Sequence, residues 1–338
     1  MRPIRLLVAS CLSACLLGGT AGAAERTFTD MAGRAVAVRD PVERIVTIGS
    51  VPVINSFVFA LGDAREIVSG LPEFARRPGW KYQLVFAPQI ADLPQVQDAN
   101  RAPNVEAVLK ARPDLAITLD RTSVEPLATN GVPTLFLAWR EPEDVKAVMA
   151  LLGDVLDRKA QAAAYNTYFD TTLASVRDRL AKAPQGTRPK VLYMDAKTLS
   201  QPHLIAEWWI DAAGGSSVTA GARQAEALPF TLEQLLAWDP DVIFLATPAD
   251  RKTFFDHPVM KELRAAKAGR VHVVPTGAHR WGNRTIEQPL TVLWAARLIH
   301  PELFMDVDVA QETKAFYQRF FGHDLSDAQV AEILSGTL

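Results

Sequence analysis

The sequence predicts an α/β protein of two lobes, each on a parallel-type sheet, joined by a single long helix. Three observations carry this. Short apolar runs come in two groups, "RIVTIG", "EIVSGL", "LAITLD" and "TLFLAW" first, then "KVLYMD", "DVIFLA" and "VHVVP". They are continuous rather than alternating, the pattern of strands buried on both faces. Between the groups, residues 143–182 hold no proline and one glycine, and Val145, Val148, Met149, Leu152, Val155 and Leu156 recur at helical spacing. Finally, a stretch is written twice. "NVEAVLKARPDLAITLD" (104–120) and "TLEQLLAWDPDVIFLAT" (231–247) share a glutamate in third place, Pro-Asp after it, and then an apolar run.

In chain order, residues 1–24 read as a secretory leader. "MRPIR" is cationic, "LLVASCLSACLL" is apolar but too short to span a bilayer, and "GGTAGA" offers small residues for cleavage near Ala23 or Ala24. The protein is therefore expected in the periplasm. Both cysteines, Cys11 and Cys15, lie in this leader, so a cleaved chain holds no disulfide, thiolate or Cys-ligated metal. "LSAC" also resembles a lipoprotein box, and the alternative is a chain anchored at Cys15.

Residues 25–141 form the first lobe, opened by a hairpin in "TFTDMAGRAVAV" and a first buried strand, "RIVTIG". Residues 142–184 are the linking helix, continuous or broken near Gly153, and "PQGTRP" ends it. Residues 185–338 form the second lobe with a helical tail, "AQETKAFYQRFFG" and "SDAQVAEIL". In the repeat, Asn104 and Thr231 are N-cap types, and Glu106 and Glu233 fall in first helical turns, where the helix dipole favours them. Pro113 and Pro240 end those helices.

The composition is ordinary: 338 residues, 49% hydrophobic, 22% charged, net charge −2. Nothing in it points to nucleic acid or disorder. No G-x-S-x-G motif supports a hydrolase, and no G-x-G-x-x-G or Walker A sequence supports a nucleotide enzyme. A nitrogenase-like redox protein needs cluster cysteines that the mature chain lacks.

The opening "TDMAGRAVAV…ERIV", the paired "NVEAVLKARPDLAI" and "TLEQLLAWDPDVIF", the linking helix and the closing "VPTGAHRWGNRTIEQPLTVLWAARLIHPELF" resemble one family. It is that of the periplasmic binding proteins (class III) for ferric siderophores and cobalamin, which serve ATP-binding-cassette importers. The resemblance spans essentially the whole mature chain. It implies two lobes bridged by a rigid helix, a cleft for a metal chelate, and no enzymatic activity. It also implies one glutamate per lobe docking on arginines of the permease dimer, which works with its ATPase. By position these are Glu106 and Glu233. A monomer without a resident cofactor is expected.

Ligands of parallel α/β lobes bind beyond the carboxyl ends of strands. That rule nominates Ser50, Asn55, Glu73, Arg121, Trp139 and Arg140 in the first lobe, and Asp195, Lys197, His279, Arg280 and Trp281 in the second. Arg121, Arg140 and Arg280 suit an anionic ligand, because guanidinium binds carboxylate and oxyanion groups with a planar fork. Trp139 and Trp281 suit its apolar surface. No histidine pair has zinc spacing, and no direct metal site is expected, although His279 can fill an open position on an incoming chelate. His203 and Glu207, four apart, are expected to be a surface or capping pair. Of Trp208 and Trp209, at most one can face the core. The expected ligand is an anionic ferric siderophore; molybdate, tungstate, cobalamin or haem is the alternative within the same importer class.

Overall fold

The computed structural model describes residues 24–139, 141–183, 188–221 and 225–338. Residues 1–23 of the leader, with Cys11 and Cys15, and Arg140 lie outside the described residues.

Strands β1 (Ala24–Thr29) and β2 (Ala35–Asp40) form the expected antiparallel hairpin. Its turn is organised by the buried Asp30 carboxylate, which accepts from the backbone of Ala32 and Arg34 and from the Phe136 N–H. Strand β3 (Ile45–Ile48) follows, then helix α1 (Val51–Ala60) and the short α2 (Lys81–Phe86). Helix α3 (Val105–Ala111) leads into β4 (Leu115–Thr118), and α4 (Val124–Ala128) into β5 (Thr134–Phe136). The sheet order is β3-β4-β5, all parallel. "EIVSGL" makes only an isolated bridge, Ile67 to Ile45, instead of a strand. Gly70 lies so close to the Leu93 carbonyl that a Cβ would sit 2.1 Å from its oxygen, and Pro72 follows, so the chain turns away from the sheet.

The linking segment holds two helices, α5 (Pro142–Val155) and the long α6 (Lys159–Leu180). They break at Asp157, whose φ of 55° is left-handed. Gly153 lets the second helix approach, since a Cβ there would meet that of Ala162 at 2.5 Å. The second lobe runs through β6 (Lys190–Met194), β7 (Ser200–Gln201), α7 (Ile205–Ala212), β8 (Ser216–Ser217), β9 (Leu228–Pro229), α8 (Leu232–Trp238) and β10 (Val242–Leu245). Helices α9 (Pro248–Asp256) and α10 (Arg264–Lys267), strand β11 (Val271–Val273) and helix α11 (Gln288–Ile299) complete it. Its parallel sheet has the order β11-β10-β6-β8.

The tail helices α12 (Val309–Phe321) and α13 (Asp327–Ser335) return to the first lobe. Phe86 of α2 stacks on Tyr317, and the Tyr82 hydroxyl donates to the Gln329 carbonyl at 2.8 Å. One apolar core runs from β2 and α1 through α5, α6, α7 and α11 into this tail. Two smaller cores lie apart from it, one around Val46, Val108 and Leu127 in the first lobe, the other around Leu192, Leu235 and Phe254 in the second. The lobes thus share one packed side, and their strand ends face a common cleft.

Trp209 is buried, donating from its indole to the Gly282 carbonyl at 3.3 Å, while Trp208 stacks on Phe169 of α6. Both tryptophans are therefore packing residues, and neither enters the cleft.

Candidate ligand cleft

A cavity of about 530 Å³ opens between the lobes. Its first-lobe wall is aromatic and aliphatic: Phe74, Trp80, Leu137 and Trp139, with Pro52 and Val53 from the start of α1. Trp139 is held by the ring of Phe57, 5.1 Å away. Arg101 belongs to the same wall. Its guanidinium lies over the Phe74 ring at 5.2 Å and donates to Ser50 Oγ at 3.3 Å. The second-lobe wall is His203, His279, Asn283 and Arg284.

His279 is nearly sealed, with its ring 5.0 Å from that of Trp80. Burial pushes its pKa down to about 3, and the Arg280 charge adds to this. The ring is neutral at physiological pH. Nδ1 faces the Arg280 carbonyl at 3.4 Å, which can only accept, so Nδ1 carries the proton and Nε2 is the acceptor. Burial likewise lowers the pKa of His203. Arg284 is pinned by Glu226 at 2.6 Å.

The loop carrying His279 is fixed from both sides. The His279 N–H and the Tyr317 hydroxyl donate to Glu287 Oε1 at 3.1 and 3.0 Å, and the Thr285 hydroxyl donates to the other oxygen. Glu287 is fully buried, and burial raises its pKa. From the first lobe, the Gln83 amide donates to the carbonyls of Pro52 and Ala278 at 2.9 and 2.7 Å. Asn55, nominated as a ligand contact, instead donates to Gln83 at 3.0 Å and lies buried behind the wall.

Of the nominated residues, the cavity brings together Ser50, Trp139 and His279. It does not bring in Arg121, Arg280 or Trp281. Arg121 is exposed, with its guanidinium over Phe136 at 4.9 Å. Trp281 is fully buried in the main apolar core, while its backbone N–H donates to the Pro275 carbonyl at 3.0 Å. Arg280 sits over the Trp80 ring at 5.4 Å and lines a neighbouring pocket with Arg77. Glu73 is exposed beside Phe74, and Asp195 accepts from the Lys197 and Thr198 N–H groups to close a turn. Strand-end reasoning missed Phe74, Trp80 and Arg101, which ride on the long excursion between α1 and α3. Arg284 stood unremarked in "HRWGNRT".

The lining contains two arginines and no carboxylate among the described residues, and its histidines are neutral. The cavity therefore favours negative charge at Arg101, since the Arg284 charge is already matched by Glu226, and a flat or apolar surface at its aromatic wall. Among the described residues, no group of three or more His, Cys, Asp and Glu could hold a metal ion, and no helix is long and apolar enough to cross a membrane.

Glu106 and Glu233 lie away from the cavity, on the exposed sides of α3 and α8. Glu106 pairs with Lys110 at 2.7 Å. Glu233 is held by its own N–H and the Thr231 hydroxyl, which lower its pKa.

Two α/β lobes joined by the α5–α6 segment, with a cleft between their strand ends, define a two-lobed solute carrier. The chain belongs to the periplasmic binding protein family, whose model matches residues 56–277. It is 23% identical to the molybdate-binding protein MolA of Haemophilus influenzae, over 92% of this chain and 96% of that protein. The structure of MolA bound to molybdate superposes with a TM-score of 0.78 at 21% identity, covering 89% of this chain and 99% of that one. A periplasmic solute-binding protein of Veillonella parvula gives a TM-score of 0.80 at 27% identity, covering 92% and 97%. CeuE of Helicobacter pylori, solved with nickel and histidine, gives 0.70 at 20% identity, covering 92% and 99%. The protein is thus a non-enzymatic transport component of the kind that delivers solute to an ATP-binding-cassette permease.

Proposed function

We propose that the protein captures an anionic metal chelate with an organic shell, a ferric siderophore of the carboxylate class, and hands it to the permease. The observation that carries this reading is the composition of the cleft wall. A bare oxyanion needs hydrogen-bond donors on every side and only a small part of 530 Å³. Phe74, Trp80 and Trp139 offer it none except at the indole N–H, but they suit the ring or chain surface of a chelator. Arg101 then meets a carboxylate of the chelate, and the neutral Nε2 of His279 is an acceptor or a donor atom for an unsaturated metal. The size suits a small organic ligand, whose pockets run about 300–1,000 Å³.

A second reading, molybdate or tungstate capture, is favoured by the similarity to MolA. It uses Arg101 with the lobes drawn closer. In either reading, Glu106 and Glu233 meet basic groups of the permease, and residues 1–24 direct export.

The test is a titration followed by tryptophan fluorescence, with ferric citrate, ferric carboxylate and catecholate siderophores, cobalamin, haem and molybdate. Quenching by a ferric carboxylate is expected. Arg101→Ala should weaken it about tenfold to a hundredfold, the worth of a charge-assisted hydrogen bond. Tight binding of cobalamin, or anion binding indifferent to Arg101, defeats the reading. Tight binding of molybdate alone promotes the second.

A further inference from the structure

The two repeated helices expose more than their glutamates. Three residues after Glu106 stands Leu109, and three after Glu233 stands Leu236, so each leucine shares a helix face with its glutamate. Leu109 is 44% exposed and Leu236 48%. The other large apolar side chains so exposed among the described residues are Phe255 and Met305, and Phe255 is covered in part by Arg251. Two of the four thus fall at the same place in the same motif, once in each lobe.

Packing within the chain does not account for this. The inward face of each helix is served by other residues, Val108 and Ala111 in α3 and Leu235 in α8. The surroundings of Leu236 also suit an apolar visitor. A groove of about 420 Å³ lies beside it, with Val259 and Leu263 on its floor. The charges at its rim are already matched, Arg264 with Asp239 at 3.2 Å and Lys267 with Glu262 at 3.2 Å. A charged partner group gains little there, whereas an apolar one removes Leu236 and the floor from water.

We propose that Leu109 and Leu236 are apolar anchors for the permease, with Leu236 and its groove the deeper of the two. The occupant is an apolar side chain of the permease next to the basic group that meets each glutamate. A partner of two like subunits presents one patch twice, and this chain answers with one Glu-x-x-Leu face per lobe. Exposed glutamates alone are weak anchors, because solvent and salt screen them; a buried apolar contact beside them supplies the persistence. The proposal rests on the docking role of Glu106 and Glu233.

The experiment measures association of the purified full chain with the cognate permease–ATPase complex in nanodiscs, with no ligand added, for Leu236→Ser, Leu109→Ser, both together, and Glu106→Arg with Glu233→Arg. Melting curves check that each variant is folded, and sedimentation reports self-association. Leu236→Ser should weaken association about fivefold to tenfold, from the apolar area it withholds, with Leu109→Ser weaker and the pair worse than either. Normal association of both leucine variants, beside loss in the glutamate pair, overturns the anchors and leaves the docking role standing. Normal association of the glutamate pair, beside loss in the leucine variants, keeps the anchors and removes the docking role. A wild-type dimer that Leu236→Ser dissociates, with permease binding unchanged, assigns the face to a second copy and overturns the proposal.

Discussion

The helix–strand unit of the first lobe and that of the second share a backbone but differ in dress. α3 and α8 are each seven residues long and end in a left-handed residue that is not glycine, Arg112 at φ 46° and Asp239 at φ 41°. In both, the aspartate after the proline ties the start of a neighbouring strand. Asp114 accepts from the Glu43 N–H at 3.0 Å, and Asp241 from the Lys190 N–H at 2.8 Å. The Pro-Asp signal therefore belongs to the fold. The caps differ: Asn104 alone accepts the Ala107 N–H, while Thr231 and Gln234 form a reciprocal box. The glutamates differ too, Glu106 being paired with Lys110, whereas position 237, its counterpart, is alanine. What recurs is what the backbone needs. What varies is what solvent tolerates, and the two exposed glutamates recur where a cap alone would also accept glutamine.

The largest expected effect breaks both units together. Glu106→Arg with Glu233→Arg should lower transport by more than about tenfold, since each substitution places like charge against a basic permease group. Fluorescence titration with ferric citrate should be unchanged, the cleft being elsewhere. Normal transport at normal protein levels would reduce both residues to helix-start residues.

Next comes acid. The second lobe half-buries His272 and nearly seals His279, with pKa values near 4 and 3, while the first buries Asp63, raised to about 6. Burial is the leading cause in each. The histidines stay neutral in the fold but take protons when unfolded below their usual value. Their contribution is thus intact above about pH 6.5 and is lost as pH falls toward the folded pKa values, about 2 kcal/mol for each by pH 5. Asp63 acts oppositely, holding its proton in the fold below about pH 6, and its nearby ion pair with Arg158 is partly screened, so it returns only part of this. Urea midpoints should fall between pH 7 and 5, and His279→Gln should flatten the slope. A midpoint rising with acid would contradict the burial of these rings.

The two aspartates sharpen the comparison at smaller scale. Asp114 is buried and Asp241 partly exposed. Asp114→Ala should cost about 1–3 kcal/mol, because it strands a buried N–H, and Asp241→Ala about 0.5–1.5 kcal/mol. Thermal melts check the order. The smallest effect is Lys110→Ala, which frees Glu106 from its pair and should change permease association by no more than about twofold.

Much of this molecule was legible along the chain. Six of the seven apolar runs became strands, because continuous Val, Ile and Leu runs need a sheet covered on both sides. The hairpin, the tail helices and the repeated helix starts followed from local chemistry as well: a turn residue, a Ser326 or Asp308 cap, a glycine end. Even the break in the linker was signalled by Gly153, although the chain reverses at Asp157. Strand ends also nominated Ser50, Trp139 and His279, which line the cavity. Sequence alone could not decide which side of a loop faces the cleft. Arg280 and Trp281 are neighbours, yet one lies on Trp80 and the other in the core, while Arg101 and Arg284, from opposite lobes, share one cavity. Periodicity fixes an element and its buried face. The placing of a loop side chain depends on which distant backbone groups, such as the Ala278 carbonyl under Gln83, are satisfied when the lobes pack, and that exists only in three dimensions.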